Sequence, residues 1–135
     1  MRVRKKKSGD ARFSAQKDST LEYNREAPEM INLSEAFPGY SRFRIEIGCG
    51  KGSFIAEEAR RNPDVAFIAV EKVRDVIIFA MEKVAAAELT NVRFLCADAE
   101  KLDLLFPAGT FERIYINFCD PWPKARHAKR RLTYR

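Results

Sequence analysis

The chain has 135 residues, 46% of them apolar and 33% charged, with a formal net charge of +6. That length suits one domain able to bury roughly two-thirds of its unfolded surface, and the apolar share excludes a wholly disordered chain. No apolar run of about 18 residues offers a membrane span. The opening MRVRKKKSGD has no apolar stretch behind it, so it does not read as a secretory signal. Cys49, Cys96 and Cys119 form an odd set without CxxC spacing, which argues against a disulfide framework or a zinc site and for a reducing cytosol.

The charge is unevenly placed. Residues 1–26 carry a balance of +4, residues 27–120 of −4, and residues 121–135 of +6 with no acid among them. A mildly acidic body thus has a basic segment at each end. A single cationic tail serves solubility as readily as binding, and residues 2–7 alone leave that open. Two separated basic blocks favour a polyanion, most plausibly a nucleic acid, through counterion release.

Residues 1–41 show little periodicity and read as an extended basic arm, with a short helical turn near 32–36. From Phe43 the pattern changes, and residues 42–135 read as one α/β domain. FRIEI (43–47) is a short apolar run ending in glycines, expected to be a buried strand. Residues 53–61 read as a helix with Phe54, Ile55 and Ala59 inward, stopped by Pro63. AFIAV (66–70) is a second strand. Over 73–88 the apolar residues Val73, Val76, Ile77, Ala80, Met81 and Val84 recur at helical spacing. VRFLC (92–96) is a third strand, a short helical stretch follows at 99–105, and RIYINF (113–118) is a fourth strand. Strands alternating with helices predict parallel β-α-β units and a Rossmann-like, doubly wound, mostly parallel sheet.

In such a sheet, ligands bind beyond the carboxyl ends of the strands. The first strand runs into Gly48-Cys49-Gly50-Lys51-Gly52, whose alternate glycines permit a tight turn and close backbone approach. The dinucleotide fingerprint wants GxGxxG, and here the third glycine comes one residue early, with Ser53 in its place. Together with Glu46 just before the loop, this fits the sulfonium and amino-acid end of S-adenosylmethionine better than a pyrophosphate. Glu71, after the second strand, suits ribose hydroxyls or is a surface acid of a helix's first turn. Asp98, after the third, suits an adenine amino group or is a helix N-cap. All three acids are expected at one edge of the sheet.

The fourth strand leads into Asn117-Phe118-Cys119-Asp120-Pro121-Trp122-Pro123-Lys124. Two prolines around a tryptophan predict a rigid loop presenting Asp120, unless Trp122 is simply a core plug. Five cations then fall between Lys124 and Arg131. His127 is the only histidine, so a metal site or a histidine-based triad has no partners, and no metal is expected.

These motifs resemble the tRNA (guanine-N7-)-methyltransferases of the bacterial, single-subunit type. The match rests on IEIGCGKG (45–52), on the acids Glu71 and Asp98, and above all on NFCDPWPKARHAKRRL (117–132), and it covers about residues 20–135. The resemblance implies a class I S-adenosylmethionine-dependent methyltransferase fold, with Glu46, Gly48, Gly50, Glu71, Asp98 and Asp120 around the cofactor and Asp120 also catalytic. It implies tRNA contacts at Lys124, Arg126, Lys129 and Arg130, and N7 of guanosine 46 in the tRNA variable loop as methyl acceptor. A cytoplasmic enzyme acting as a monomer or homodimer is expected. Family members continue beyond Arg135, so the domain reads as C-terminally incomplete. An RNA- and cofactor-binding fragment without turnover is accordingly one alternative. The other is an amino-group methyltransferase, whose Asn/Asp-Pro-Pro-aromatic loop is a near relative of Asp120-Pro121-Trp122-Pro123.

Overall fold

The computed structural model describes residues 2–117, with side chains from Gly9 onward. Four strands, β1 (Phe43–Ile47), β2 (Ala66–Val70), β3 (Val92–Leu95) and β4 (Arg113–Ile116), form one sheet in the order β3-β2-β1-β4. Every neighbouring pair is parallel. Helices α3 (Ser53–Arg61) and α4 (Arg74–Ala86) are the crossovers from β1 to β2 and from β2 to β3. The short helix α5 (Leu102–Leu105) precedes β4, which returns to the far side of β1. Strand order therefore reverses between β1 and β4, and that reversal is the doubly wound topology expected from the alternation of elements.

Side-chain alternation along the strands builds two cores. Ile45, Ile47, Ile68 and Val70 face one way, onto Leu33, Phe37, Leu102, Leu105 and Phe106. Phe67, Ala69 and Phe94 face the other way, onto Ile55 and Ala59 of α3 and Ile77, Ala80 and Met81 of α4. All five residues of β2 are buried, as its unbroken apolar run demands of a central parallel strand. Burying each large apolar side chain stabilises the fold by roughly 1.5–3 kcal/mol before entropy is counted.

Asn91 holds the turn into β3. Its Nδ2 donates towards the carbonyls of Ala59, Asn62 and Val65 at 3.1, 3.1 and 2.9 Å, which locks the end of α3 to the starts of β2 and β3. At the same end of the sheet Arg42 and Arg44 grip Glu112, with contacts of 2.9 and 2.7 Å.

The structure differs from the sequence expectations in two places. Residues Arg2–Ala15 form a helix, α1, where an extended arm was expected, and only the turn α2 (Leu33–Ala36), capped by Asn32, falls where a helical turn was read. Phe54, expected to face inward, is 39% exposed. Phe54 instead meets the half-buried ring of Tyr115 of β4 edge-on, 4.9 Å between centroids.

Candidate functional site

Register sets the site. Ile47 pairs with Val70 and with Ile116, and Val70 pairs with Leu95, so the four strands finish in one row. The residues immediately past that row are Gly48, Glu71, Cys96 and Asn117, and Asp98 follows two positions after Cys96. Glu46 lies one row back, beside Ala69 and Tyr115. Glu46, Glu71 and Asp98 thus stand at one edge of the sheet, as the sequence predicts. Asp120, Lys124, Arg126, Lys129 and Arg130 lie outside the described residues.

The glycine loop is cradle-shaped. Gly48, Gly50 and Gly52 have φ of 81°, 57° and 91°. The loop hangs from β2, whose Val70 carbonyl accepts from the N–H groups of both Gly48 and Cys49. A Cβ at Gly50 would meet nothing within 4 Å, so this glycine opens onto free space where a ligand could approach the backbone. Gly52 serves another purpose: a Cβ there would stand 2.7 Å from Ala80. The early third glycine is thus explained by packing of the loop on α4 and not by a phosphate.

Glu71 spans the cradle. Its Oε1 accepts from Gly50 N–H at 3.1 Å and its Oε2 from Val73 N–H at 3.2 Å, so one carboxylate ties the glycine loop to the start of α4. Asp98 is an N-cap, its Oδ1 accepting from Glu100 N–H at 3.1 Å. The capping alternative read from the sequence is therefore realised, and it holds the carboxylate in place at the rim.

Glu46 is the unusual group. It is fully buried, and neither carboxylate oxygen has a hydrogen-bond partner among the described residues. Burial pushes its pKa up to about 7, helped by the negative charges of Glu58 and Glu71. Asn117 pulls the other way without either oxygen of Glu46 reaching hydrogen-bond geometry. The sequence suggested a cation near this acid, and none of the described residues supplies one. An orphaned buried acceptor at the switch point between β1 and β4 is placed for a donor from a ligand, and a cationic amine would suit it best.

Sequence reasoning missed the polar chain that surrounds Glu46. Arg44 reaches Tyr115 Oη at 3.4 Å, and that hydroxyl donates to Glu58 at 3.2 Å. The signal was available in the i, i+2 spacing of Tyr115 and Asn117, which puts both on the face of β4 beside Glu46. Among the described residues, burial raises the thiol pKa of both Cys49 and Cys96, which disfavours the thiolate form. A cleft of about 610 Å³ lined by Leu21, Tyr23, Met30, Ile31 and Ala36 lies where the arm crosses α2, and none of residues 46–52 borders it.

A doubly wound sheet with a glycine cradle after its first strand and rim acids after the next two is the fold of class I S-adenosylmethionine-dependent methyltransferases. The 16S rRNA methyltransferase KamB superposes with a TM-score of 0.58 at 19% identity, covering 83% of this chain and 53% of that one, a likeness of fold. The chain belongs to the methyltransferase family Methyltransf_4, described as "Putative methyltransferase", whose model matches residues 41–135. Among curated proteins it is 46% identical over 104 residues to the tRNA (guanine-N(7)-)-methyltransferase of Bacillus cytotoxicus, covering 77% of this chain and 48% of the relative. It is 52% identical over 101 residues to that of Geobacillus thermodenitrificans, covering 75% and 47%. The chain spans about half the length of these relatives.

Proposed function

We propose that the chain is a tRNA (guanine(46)-N7)-methyltransferase that transfers a methyl group from S-adenosylmethionine and works in the cytoplasm. The observation that supports this most is the joint placement of a glycine cradle, a bridging Glu71, a rim Asp98 and an orphaned Glu46 at one edge of a methyltransferase sheet. The names of the relatives at 46% and 52% identity supply guanine N7 of a tRNA as the acceptor, and position 46 follows from the family resemblance.

The residues present fit S-adenosylmethionine. Glu46 would accept from the cationic amino group, Gly48 and Gly50 would let the methionine portion lie against backbone, Glu71 would accept from the ribose hydroxyls, and Asp98 from the adenine amino group. When bound, the cofactor supplies an electrophilic methyl on a sulfonium. Guanine N7 has a lone pair and no proton, so the site needs no general base. Its task is alignment, which for well-oriented reactants is worth roughly 7–11 kcal/mol. Asp120 would orient the base and stabilise the positive charge that develops on it. Lys124, Arg126, Lys129 and Arg130 would contact tRNA phosphates.

The test is to incubate the chain with methyl-labelled S-adenosylmethionine and a tRNA transcript, then digest the RNA and locate the label. Label recovered as 7-methylguanosine from position 46 is expected. Label in an amino-methylated base would overturn the proposal in favour of the amino-group reading, and cofactor and tRNA binding without transfer would favour the fragment reading.

A further inference from the structure

The N-terminal helix is docked in a way its composition does not demand. In α1, RVRKKKSGDARFSA, the apolar residues are Val3, Ala11, Phe13 and Ala15, too few for an apolar stripe to hold the helix on the domain. Phe13 packs partly buried against the α4-side core, and ion pairs flank that contact. Arg12 makes a two-pronged contact with Glu82 of α4, at 2.6 and 2.9 Å. Asp10 pairs with Arg74 at 2.8 Å, and the same Arg74 lies 4.3 Å over the ring of Phe13. These contacts are partly exposed and screened by salt, yet they come from both partners and fix the direction of the helix across α4.

The docked helix meets the glycine loop at one ring. Phe79, 43% exposed on α4, has Arg12 of α1 5.0 Å from its centroid and Lys51 of the loop 5.2 Å from it. Along the rim beside it, Lys72 directly follows Glu71, and Arg25 reaches the carbonyl of Cys96 at 3.4 Å. Arg25, Lys51 and Lys72 are exposed and have no ion-pair partner among the described residues. Five of the first seven residues, on the first two turns of α1, are Arg or Lys.

We propose that α1, pinned across α4, and the rim cations Arg25, Lys51 and Lys72 form one surface that takes the phosphodiester backbone of a folded RNA on the α4 side of the glycine loop. Strand β4 flanks β1 on the other side of that loop, so this surface is distinct from the β4 end of the rim. The choice of RNA as the polyanion rests on the function proposed above. A tail serving solubility alone has no use for reciprocal ion pairs that orient it.

The test is tRNA binding by the full 135-residue chain, followed by fluorescence anisotropy across 50–300 mM salt. Neutralising three cations that meet phosphates lowers the slope of log K against log salt by about 0.9 for each phosphate no longer neutralised. A decrease of about 2–3 is therefore expected for Lys5→Gln/Lys6→Gln/Lys7→Gln, and again for Arg25→Gln/Lys51→Gln/Lys72→Gln. Glu82→Gln separates docking from net charge. It removes an acid, so charge alone predicts tighter RNA binding, whereas loss of the pin predicts weaker binding. Unchanged slopes in both triple variants, or tighter binding by Glu82→Gln, would overturn the surface. So would a preference for phosphatidylserine vesicles over tRNA, which would assign it to a membrane. S-adenosylmethionine affinity of the wild-type chain, measured alongside, tests the methyltransferase reading separately, since its loss leaves the RNA slopes interpretable.

Discussion

A Cβ on Gly52 would stand 2.7 Å from both the Cα and the Cβ of Ala80. The loop backbone therefore touches α4 with no room for any side chain, at a φ of 91° that already disfavours one. Gly50 has a φ of 57° but open space around it. Gly52→Ala should cost about 2–4 kcal/mol, combining left-handed strain with overpacking. Gly50→Ala should cost only about 1–2 kcal/mol, from strain alone, yet should weaken S-adenosylmethionine binding the more of the two per unit of stability lost. Urea unfolding and calorimetric titration measure both quantities. Equal stability losses would remove the packing explanation of the third glycine.

Glu46 makes stability depend on pH. Its carboxyl ionises near 4.5 when unfolded and near 7 in the fold. The native state holds the extra proton between these values, so stability is greatest below about 4.5 and falls as pH rises through about 7. The gap corresponds to about 3 kcal/mol. Glu46→Gln should abolish this slope and leave the chain more stable than wild type at pH 8, while losing cofactor affinity. Such a trade of stability for binding is what a buried functional acid produces. A wild-type stability that is flat from pH 5 to 8 would contradict the raised pKa.

Glu112 behaves in the opposite sense. Arg42 and Arg44 hold its carboxyl down at about 2. Its contribution is present above the unfolded pKa near 4.5 and is lost as pH falls towards 2. Glu112→Gln should flatten the acid limb of the stability profile. At neutral pH it should cost about 1–3 kcal/mol, because Arg44 is buried and would lose its charged partner. Denaturant titrations at pH 3 and pH 7 check both halves, and an unaltered acid limb would show that the ion pairs contribute nothing.

The proposed roles of Asp120 and Lys124 separate by observable. Asp120→Ala should lower methyl transfer to bound tRNA by 100-fold or more, as loss of a transition-state contact can (about 3 kcal/mol), with tRNA affinity kept. Lys124→Ala should weaken tRNA binding and reduce its salt slope by about 1. A collapse of tRNA affinity in Asp120→Ala with turnover of bound tRNA intact would reverse the assignment.

The strands and their crossover helices were legible because each announces itself locally. AFIAV is apolar throughout and becomes the fully buried β2, and the 3- and 4-residue spacing of Ile77, Ala80, Met81 and Val84 becomes the inner face of α4. Glu71 and Asp98 were legible because a parallel sheet brings every strand end to one edge. What was not legible depends on distant partners. Helix α1 lacks an apolar period, and the residues that dock it, Arg74 and Glu82, lie some 60–70 positions away. Phe54 reads as an inward residue of an amphipathic helix, and its partner ring, Tyr115, lies some 60 positions away on β4. The isolation of Glu46 was invisible for the same reason. Its type and position pointed to a nearby cation, and burial on a sheet face has no local signature.

If Glu46, Glu71 and Asp98 together grip one adenosyl sulfonium, each must contribute to its affinity. Calorimetric titration of S-adenosylmethionine into the wild-type chain and into Glu46→Gln, Glu71→Gln and Asp98→Asn measures this. Each variant should stay folded and bind at least about 10-fold more weakly, a loss of about 1.4 kcal/mol or more. Wild-type affinity in all three, or no binding by the wild-type chain, would contradict the shared grip.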